Sequence, residues 1–164
     1  MNAGVTKRGG SEPKDNRYFY ETEVGWTGAR RGYLKSSADL PVLEIASPPE
    51  FQGHPHTWTP EHLFVGSLNS CYMATFIAIA ELSKLDVVSF ISTATGKLEK
   101  TEGFGYRINE IVLKPKLIIK RESDAERAQR ILEKAERNCF ISNSILTEIR
   151  LEPEIDFEEV LAPA

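Results

Sequence analysis

Thr59-Pro60-Glu61-His62-Leu63-Phe64-Val65-Gly66-Ser67-Leu68-Asn69-Ser70-Cys71 opens an apolar run that continues from Tyr72 to Leu82, and the reading of this stretch decides the fold. Thr59 has the side-chain acceptor of a good N-cap. Pro60 suits the first helical position, where a missing N–H leaves no bond unmade, and Glu61 complements the positive end of the helix dipole. The stretch predicts a helix from Thr59 to about Lys84. Its apolar part is nearly long enough to cross a bilayer, but Gly66, Ser67, Asn69, Ser70 and Thr75 interrupt it and no basic cluster flanks it, which disfavours a membrane span. A helix apolar on almost every side is normally wrapped by protein. For a chain of this size, a subunit interface can supply part of the cover.

Upstream, Met1 to Asn16 is polar, contains Gly9-Gly10 and Pro13, and has too little apolar material to offset the entropy of ordering, so residues 1–16 are expected to form a mobile tail. Tyr18 to Trp26 is aromatic and β-branched with partial alternation. Gly28 and Gly32 punctuate the passage to Tyr33-Leu34-Lys35, a hairpin pattern. Leu40 to Ile45 predicts a third short strand. Pro48, Pro49, Gly53, Pro55 and Pro60 then exclude regular structure up to the helix.

Downstream, Val87–Glu99 and Tyr106–Ile119 predict two strands joined through Glu102-Gly103-Phe104-Gly105, a second meander. Ser123-Asp124-Ala125-Glu126 has the form of a capping box, and Ala128, Ile131, Leu132 and Ala135 make a helical stripe that ends at Cys139. Ile145–Leu151 alternates as a final strand, after which the acidic segment from Pro153 is expected to trail off. The domain is placed at residues 17–156, with an acidic tail at 157–164.

With 164 residues and 41% hydrophobic content, the chain fits one domain with a core of its own. Two cysteines are too few for a secreted disulfide scaffold and nothing at the N-terminus has the pattern of a signal peptide, so the cytoplasm is the expected compartment. A net charge of −4 without a basic stripe argues against a nucleic-acid partner. No glycine-rich phosphate loop stands between a strand and a helix, which disfavours nucleotide binding.

The two cysteines carry the chemistry. Cys71 lies within the apolar helix and Cys139 closes the second one, in Asn138-Cys139-Phe140-Ile141-Ser142, so a fold could bring both sulfurs into one pocket. Taken alone, each is as well explained by a buried, inert thiol. Their context is more specific. Gly28-Ala29-Arg30, Pro60-Glu61 ten residues before Cys71, and Ser142 three residues after Cys139 together resemble the osmotically inducible protein C and organic hydroperoxide resistance family, over about Tyr18 to Ile155. The resemblance implies an α+β fold with β meanders packed around two central helices, two chains interlocked as a homodimer, and thiol peroxidase sites near the subunit interface. One departure stands out: the family usually carries proline directly after the second cysteine, where this chain has Phe140.

By this resemblance Cys71 is the peroxidatic residue and Cys139 the resolving one, with regeneration by an external dithiol and without haem, flavin or metal. Arg30 corresponds to the family's active-site arginine, which would hold the thiolate and align an organic hydroperoxide. Glu61 would fix Arg30 through a two-oxygen pair. The plainer alternatives are a solvated hairpin arginine and a first-turn helix carboxylate. Ten residues on one straight helix put Glu61 roughly 15 Å along the axis from Cys71 and about 80° around it. Contact would then need Arg30 as a bridge, a helix break near Gly66, or a second chain, and the second chain is the favoured arrangement.

Other residues invite weaker readings. His54, His56 and His62 could be metal ligands, but a proline-rich loop holds such residues freely and no further ligand has a convincing spacing. Trp26, Phe51, Trp58 and Phe140 could line a pocket for an alkyl tail, or simply pack. The alternative function is a noncatalytic protein of the same fold that binds a small apolar ligand or senses oxidants.

Overall fold

The computed structural model describes residues 16–158; nearly all of the expected N-terminal tail and most of the C-terminal one lie outside them. β1 (Thr22–Gly28), β2 (Arg31–Ser36) and β3 (Leu43–Ala46) form an antiparallel sheet in that order. β1 begins later than the aromatic pattern suggests, because Tyr18-Phe19-Tyr20 stand exposed without a pairing strand. β3 starts at Leu43 rather than Leu40, since Pro41 has no N–H to give to a ladder.

α1 (Pro60–Leu82) starts as its sequence predicts. The Thr59 hydroxyl accepts from the His62 N–H at 3.3 Å, and the His62 ring accepts in return from the Thr59 N–H at 3.4 Å. It ends two residues before Lys84. There Leu85 N–H bonds to Ala80 O at 2.9 Å and Lys84 N–H to Glu81 O at 3.0 Å, the Schellman pattern, with Lys84 left-handed at φ 52°. The helix is unbroken at Gly66.

β4 (Val87–Thr101) and β5 (Gly105–Ile119) form a long antiparallel hairpin. α2 (Ala125–Asn138) then carries the chain back, so that β6 (Glu148–Leu151) and β7 (Glu154–Phe157) join the other edge of β5 in parallel, a pairing outside the expected meander. β7 replaces the trailing segment expected from Pro153. Ile155 faces the core, Glu154 and Asp156 face out, and Pro153 divides what would otherwise be one strand from β6.

The capping box expected at Ser123–Glu126 is not formed. A 3-10 turn at Glu122–Asp124 precedes α2, and no side chain caps its first turn. The Asp124 carboxylate is taken by Arg121 at 3.1 Å and Arg127 at 3.3 Å, which outcompete the helix N–H groups for it.

The core lies between α1, α2 and the second sheet. Leu68, Tyr72, Phe76 and Ala80 make one buried stripe along α1, Ile131 and Leu132 face it from α2, and Ile111, Leu113, Leu117 and Ile119 face it from β5. Phe76 stacks on Phe90 of β4 with ring centroids 4.7 Å apart. Gly96 on β4 lets α1 approach, since a Cβ there would come within 2.5 Å of Val65. In the single chain the rest of α1 is not wrapped as its composition leads one to expect. Ser67, Ser70, Met73, Ala74, Ala78 and Leu82 all face outward, Leu82 at 87% exposure.

Candidate active site

Cys71 and Cys139 come together because α1 and α2 pack face to face. Tyr72 is fully buried between them, its hydroxyl reaching the Leu132 carbonyl at 3.4 Å, and this sets the rotation that turns the adjacent Cys71 toward the end of α2. Cys139 is the C-cap of α2, with an extended backbone (φ −67°, ψ 123°) that stops the helix and directs the chain across Cys71. The two thiols are within hydrogen-bonding reach of each other and both are free.

The turn after Cys139 is pinned at several points. Ser142 N–H approaches the Cys139 sulfur at 3.5 Å, Asn143 N–H donates to Cys139 O at 3.1 Å, and the Ser144 hydroxyl donates to Phe140 O at 2.7 Å. This arrangement brings Phe140 beside Cys71. Thr75, one helical turn beyond Cys71, donates to the Cys71 carbonyl at 2.8 Å and also lies at the sulfur.

These contacts make the two thiols unequal. Burial pushes the Cys71 thiol up, but hydrogen bonds from the Cys139 thiol, the Ile141 and Phe140 N–H groups and Thr75 outweigh it and hold Cys71 below the ordinary cysteine range. Cys139 moves the other way, pushed up by burial and then by its hydrogen bond to Cys71. Cys71 is therefore the thiol that ionises first.

Beside Cys71 lies an open cavity of about 450 Å³, walled by Ala74, Thr75, Ala78 and Ile79 of α1 and by Lys134, Asn138 and Phe140. Of the four aromatic residues expected to line a pocket, only Phe140 does so here. Trp26 lies beside Arg30, Phe51 meets Tyr106 edge-on at 5.1 Å, and Trp58 meets the ring of His62 at 6.1 Å.

Arg30 and Glu61 stand elsewhere in the chain. Ala29 and Arg30 turn the β1–β2 connection with positive φ (44° and 63°), a conformation that costs about 1 kcal/mol each for residues with a Cβ. The Arg30 guanidinium donates to the Phe51 carbonyl and to Gln52 Oε1 at 3.1 Å. Glu61, in the first turn of α1, has one carboxylate oxygen, Oε2, that is buried without a partner, and the residue lines a separate cavity of about 440 Å³. The expected pair between these two residues is thus not made within one chain, and the unbroken α1 removes a helix break as a way to bring Glu61 to Cys71.

His54 and His62 have local partners. His54 bonds to the Ala29 carbonyl at 2.6 Å and lies 3.2 Å from Arg31, while His62 completes the cap of α1. Among the described residues, no three His, Cys, Asp or Glu side chains are grouped to hold a metal ion.

Comparison with known proteins fits this architecture. The family model described as OsmC-like protein matches residues 53–154, more than half the chain and both cysteines. The chain belongs to the OsmC-like family. An uncharacterized Bacillus subtilis protein, YmaD, is 26% identical over 143 residues, covering 85% of this chain and 93% of that protein. An OsmC-like protein of unknown function from Vibrio cholerae superposes with a TM-score of 0.77 at 23% identity, covering 84% of this chain and 99% of its own. An organic hydroperoxide resistance protein from Elizabethkingia anophelis, solved with thiocyanate bound, gives a TM-score of 0.71 at 22% identity over 88% of this chain and 99% of its own. The α+β fold of this OsmC-like chain is shared with both.

Reading side chains along the sequence missed two contributors. Thr75 was legible in principle, since i and i+4 share a helix face. The Phe140 and Ile141 N–H groups carry no side-chain signature and emerge only from the turn.

Proposed function

We propose that this OsmC-like chain is a thiol-dependent peroxidase for organic hydroperoxides, with Cys71 peroxidatic and Cys139 resolving. The observation that carries the reading is the thiol pair: two free cysteines brought together by α1 and the end of α2, Cys71 partly buried at an open cavity and Cys139 fully buried behind it. The Cys71 thiolate attacks the distal oxygen of ROOH and the O–O bond breaks. The alkoxide takes up a proton and leaves as ROH, and Cys71 becomes a sulfenic acid. The Cys139 sulfur then attacks that sulfenic sulfur, hydroxide leaves and is protonated to water, and a Cys71–Cys139 disulfide forms. An external dithiol returns both thiols by exchange.

The functional unit proposed is a homodimer. The sheet β1–β3 packs mainly on itself and leaves Trp26 at 81% exposure, and the small-residue face of α1 is open; a second copy would cover both. In that unit Arg30 and Glu61 of one chain serve Cys71 of the other. The test is stopped-flow mixing of the reduced protein with an alkyl hydroperoxide and with hydrogen peroxide. Fast oxidation by the alkyl hydroperoxide, with loss of both thiols, is expected. Thiols intact after peroxide exposure would overturn the peroxidase in favour of a noncatalytic apolar-ligand protein.

A further inference from the structure

The turn that carries Arg30 does not support itself. Gly28 pairs with Arg31 across it, so the connection consists of Ala29 and Arg30, both with positive φ. A hairpin turn of this kind normally carries Asn-Gly or Asp-Gly, because a Cβ strains either central position. Such strain persists only where neighbouring structure holds it. Here the neighbour is the loop from Ser47 to His54. His54 N–H donates to Ser47 O at 3.0 Å and closes that loop, an approach open only to glycine at position 53, where a Cβ would fall 1.6 Å from the same oxygen. The Ser47 N–H donates in turn to Arg30 O at 3.1 Å and makes a first join between loop and turn.

The His54 ring makes a second join. Its Nε2 lies 2.6 Å from Ala29 O, and its Nδ1 lies 3.2 Å from Arg31 Nη2. A carbonyl can only accept and a guanidinium can only donate, so Nε2 carries the proton and Nδ1 offers its lone pair. Both bonds therefore need the neutral ring in one of its two tautomers. They reach the residues on either side of Arg30 and leave its guanidinium to Phe51 O and Gln52 Oε1. We propose that His54 is a positioning residue for Arg30: its neutral Nε2–H ring fastens the strained Ala29–Arg30 turn to the loop and fixes the point from which the guanidinium reaches. The fastening stands whatever the reaction is, whereas its effect on Cys71 rests on the reading above, in which Arg30 serves that thiol.

Nitrogen NMR of the histidine rings tests the fastening directly. In isotope-labelled wild type above neutral pH, His54 should show a proton on Nε2 and none on Nδ1. An Nδ1–H ring, or rapid averaging between the two tautomers, would overturn the proposal. Two variants then remove or retain the bonds. His54→Ala has neither donor nor acceptor, whereas the amide of His54→Gln has one of each at the end of its side chain. Hydrogen exchange at the Arg30 and Arg31 amides should be about tenfold faster in His54→Ala and close to wild type in His54→Gln. Equal exchange in all three proteins would overturn the fastening. If His54→Ala does not fold, the wild-type tautomer decides.

The rate at which cumene hydroperoxide oxidises Cys71 gives a readout that a merely structural histidine would not move in the same way. His54→Ala should slow that oxidation about tenfold in the wild-type background. In Arg30→Ala it should add nothing to the slow residual rate, because the ring acts only through the guanidinium already removed. An equal further loss in both backgrounds would overturn the positioning role. A wild type inert to the hydroperoxide, or one indifferent to Arg30→Ala, would instead refute the reading of the site, and the tautomer and exchange rates would still judge the fastening.

Discussion

Arg30 bonds to Gln52 Oε1 at 3.1 Å in its own chain, while Glu61, the acid expected to hold it, keeps a buried carboxylate oxygen with no partner. A buried carboxylate oxygen without a donor costs several times what a typical hydrogen bond contributes, so Glu61 is poised for a cation that the single chain does not bring to it. In the proposed dimer, where Arg30 and Glu61 of one chain serve Cys71 of the other, a turn of the Arg30 side chain from Gln52 to Glu61 would meet that need, and no break in α1 is required.

The arrangement predicts complementation between two defective chains. In a mixture of Arg30→Ala and Cys71→Ser proteins that exchange subunits at random, half the dimers are mixed and one of the two composite sites in each is intact. About a quarter of the normal sites should therefore recover activity. Subunit exchange is followed in parallel with a labelled chain. Verified exchange without recovery would place Arg30 and Cys71 of each site in one chain.

Peroxide treatment followed by nonreducing peptide mapping should reveal a Cys71–Cys139 link. Cys71→Ser should abolish turnover. Cys139→Ser should oxidise once and stop, leaving a sulfenic acid that a dimedone-type reagent captures. A Cys139→Ser protein that turns over normally with a dithiol would remove Cys139 from the cycle.

Much of this was legible in the sequence, and the failures are instructive. Thr59-Pro60-Glu61 announced α1 because each residue meets a separate demand of a helix start, and the Cys71 and Cys139 contexts located the thiol pair. Ser123-Asp124-Ala125-Glu126 misled because the chain enters α2 through a 3-10 turn at Glu122–Asp124, which moves the N-cap from Ser123 to Asp124, and Arg121 and Arg127 claim that carboxylate. β7 was hidden by its acidic residues: only Ile155 and Phe157 alternate against them, and a strand four residues long gives the pattern little room. The placement of Arg30 depends on Phe51 and Gln52, more than twenty residues away, and no local pattern encodes such a contact.

Tyr72 predicts a pH dependence of stability. Burial, with the Glu136 charge adding to it, pushes its phenol up well beyond the ordinary range. A folded-state pKa above the unfolded value means that the unfolded chain releases this proton first. Its contribution is therefore fully present below about pH 10 and is lost as pH rises from there toward the folded value. Urea unfolding of wild type and Tyr72→Phe should show the variant less stable at neutral pH by up to about 1 kcal/mol, for a long hydrogen bond lost, with the gap closing above pH 10. A gap that stays constant to higher pH would show that Tyr72 ionises equally in both states.

Light scattering of the wild type at low micromolar concentration should give twice the 18.4 kDa chain mass. Met73→Glu puts a charge on the open face of α1 without disturbing the buried stripe, since Met73 is 44% exposed in the single chain. It should yield a monomer with unchanged far-ultraviolet circular dichroism. A wild type that scatters as a stable monomer would defeat the dimer and the shared site together.

The last prediction isolates what Cys139 does before any oxidation. Its thiol is one of the donors that hold Cys71 down, and burial keeps its own proton in place. Removing it with Cys139→Ala takes away that donor, leaves the Phe140 and Ile141 N–H groups, and should move the pH inflection of Cys71 alkylation upward, so that the variant reacts more slowly below the inflection and equally fast well above it. Cys139→Ser keeps a hydroxyl donor at the same place and should fall between wild type and Cys139→Ala. An alkylation profile indifferent to all three side chains would mean that Cys139 does not tune Cys71 and meets it only after the sulfenic acid has formed.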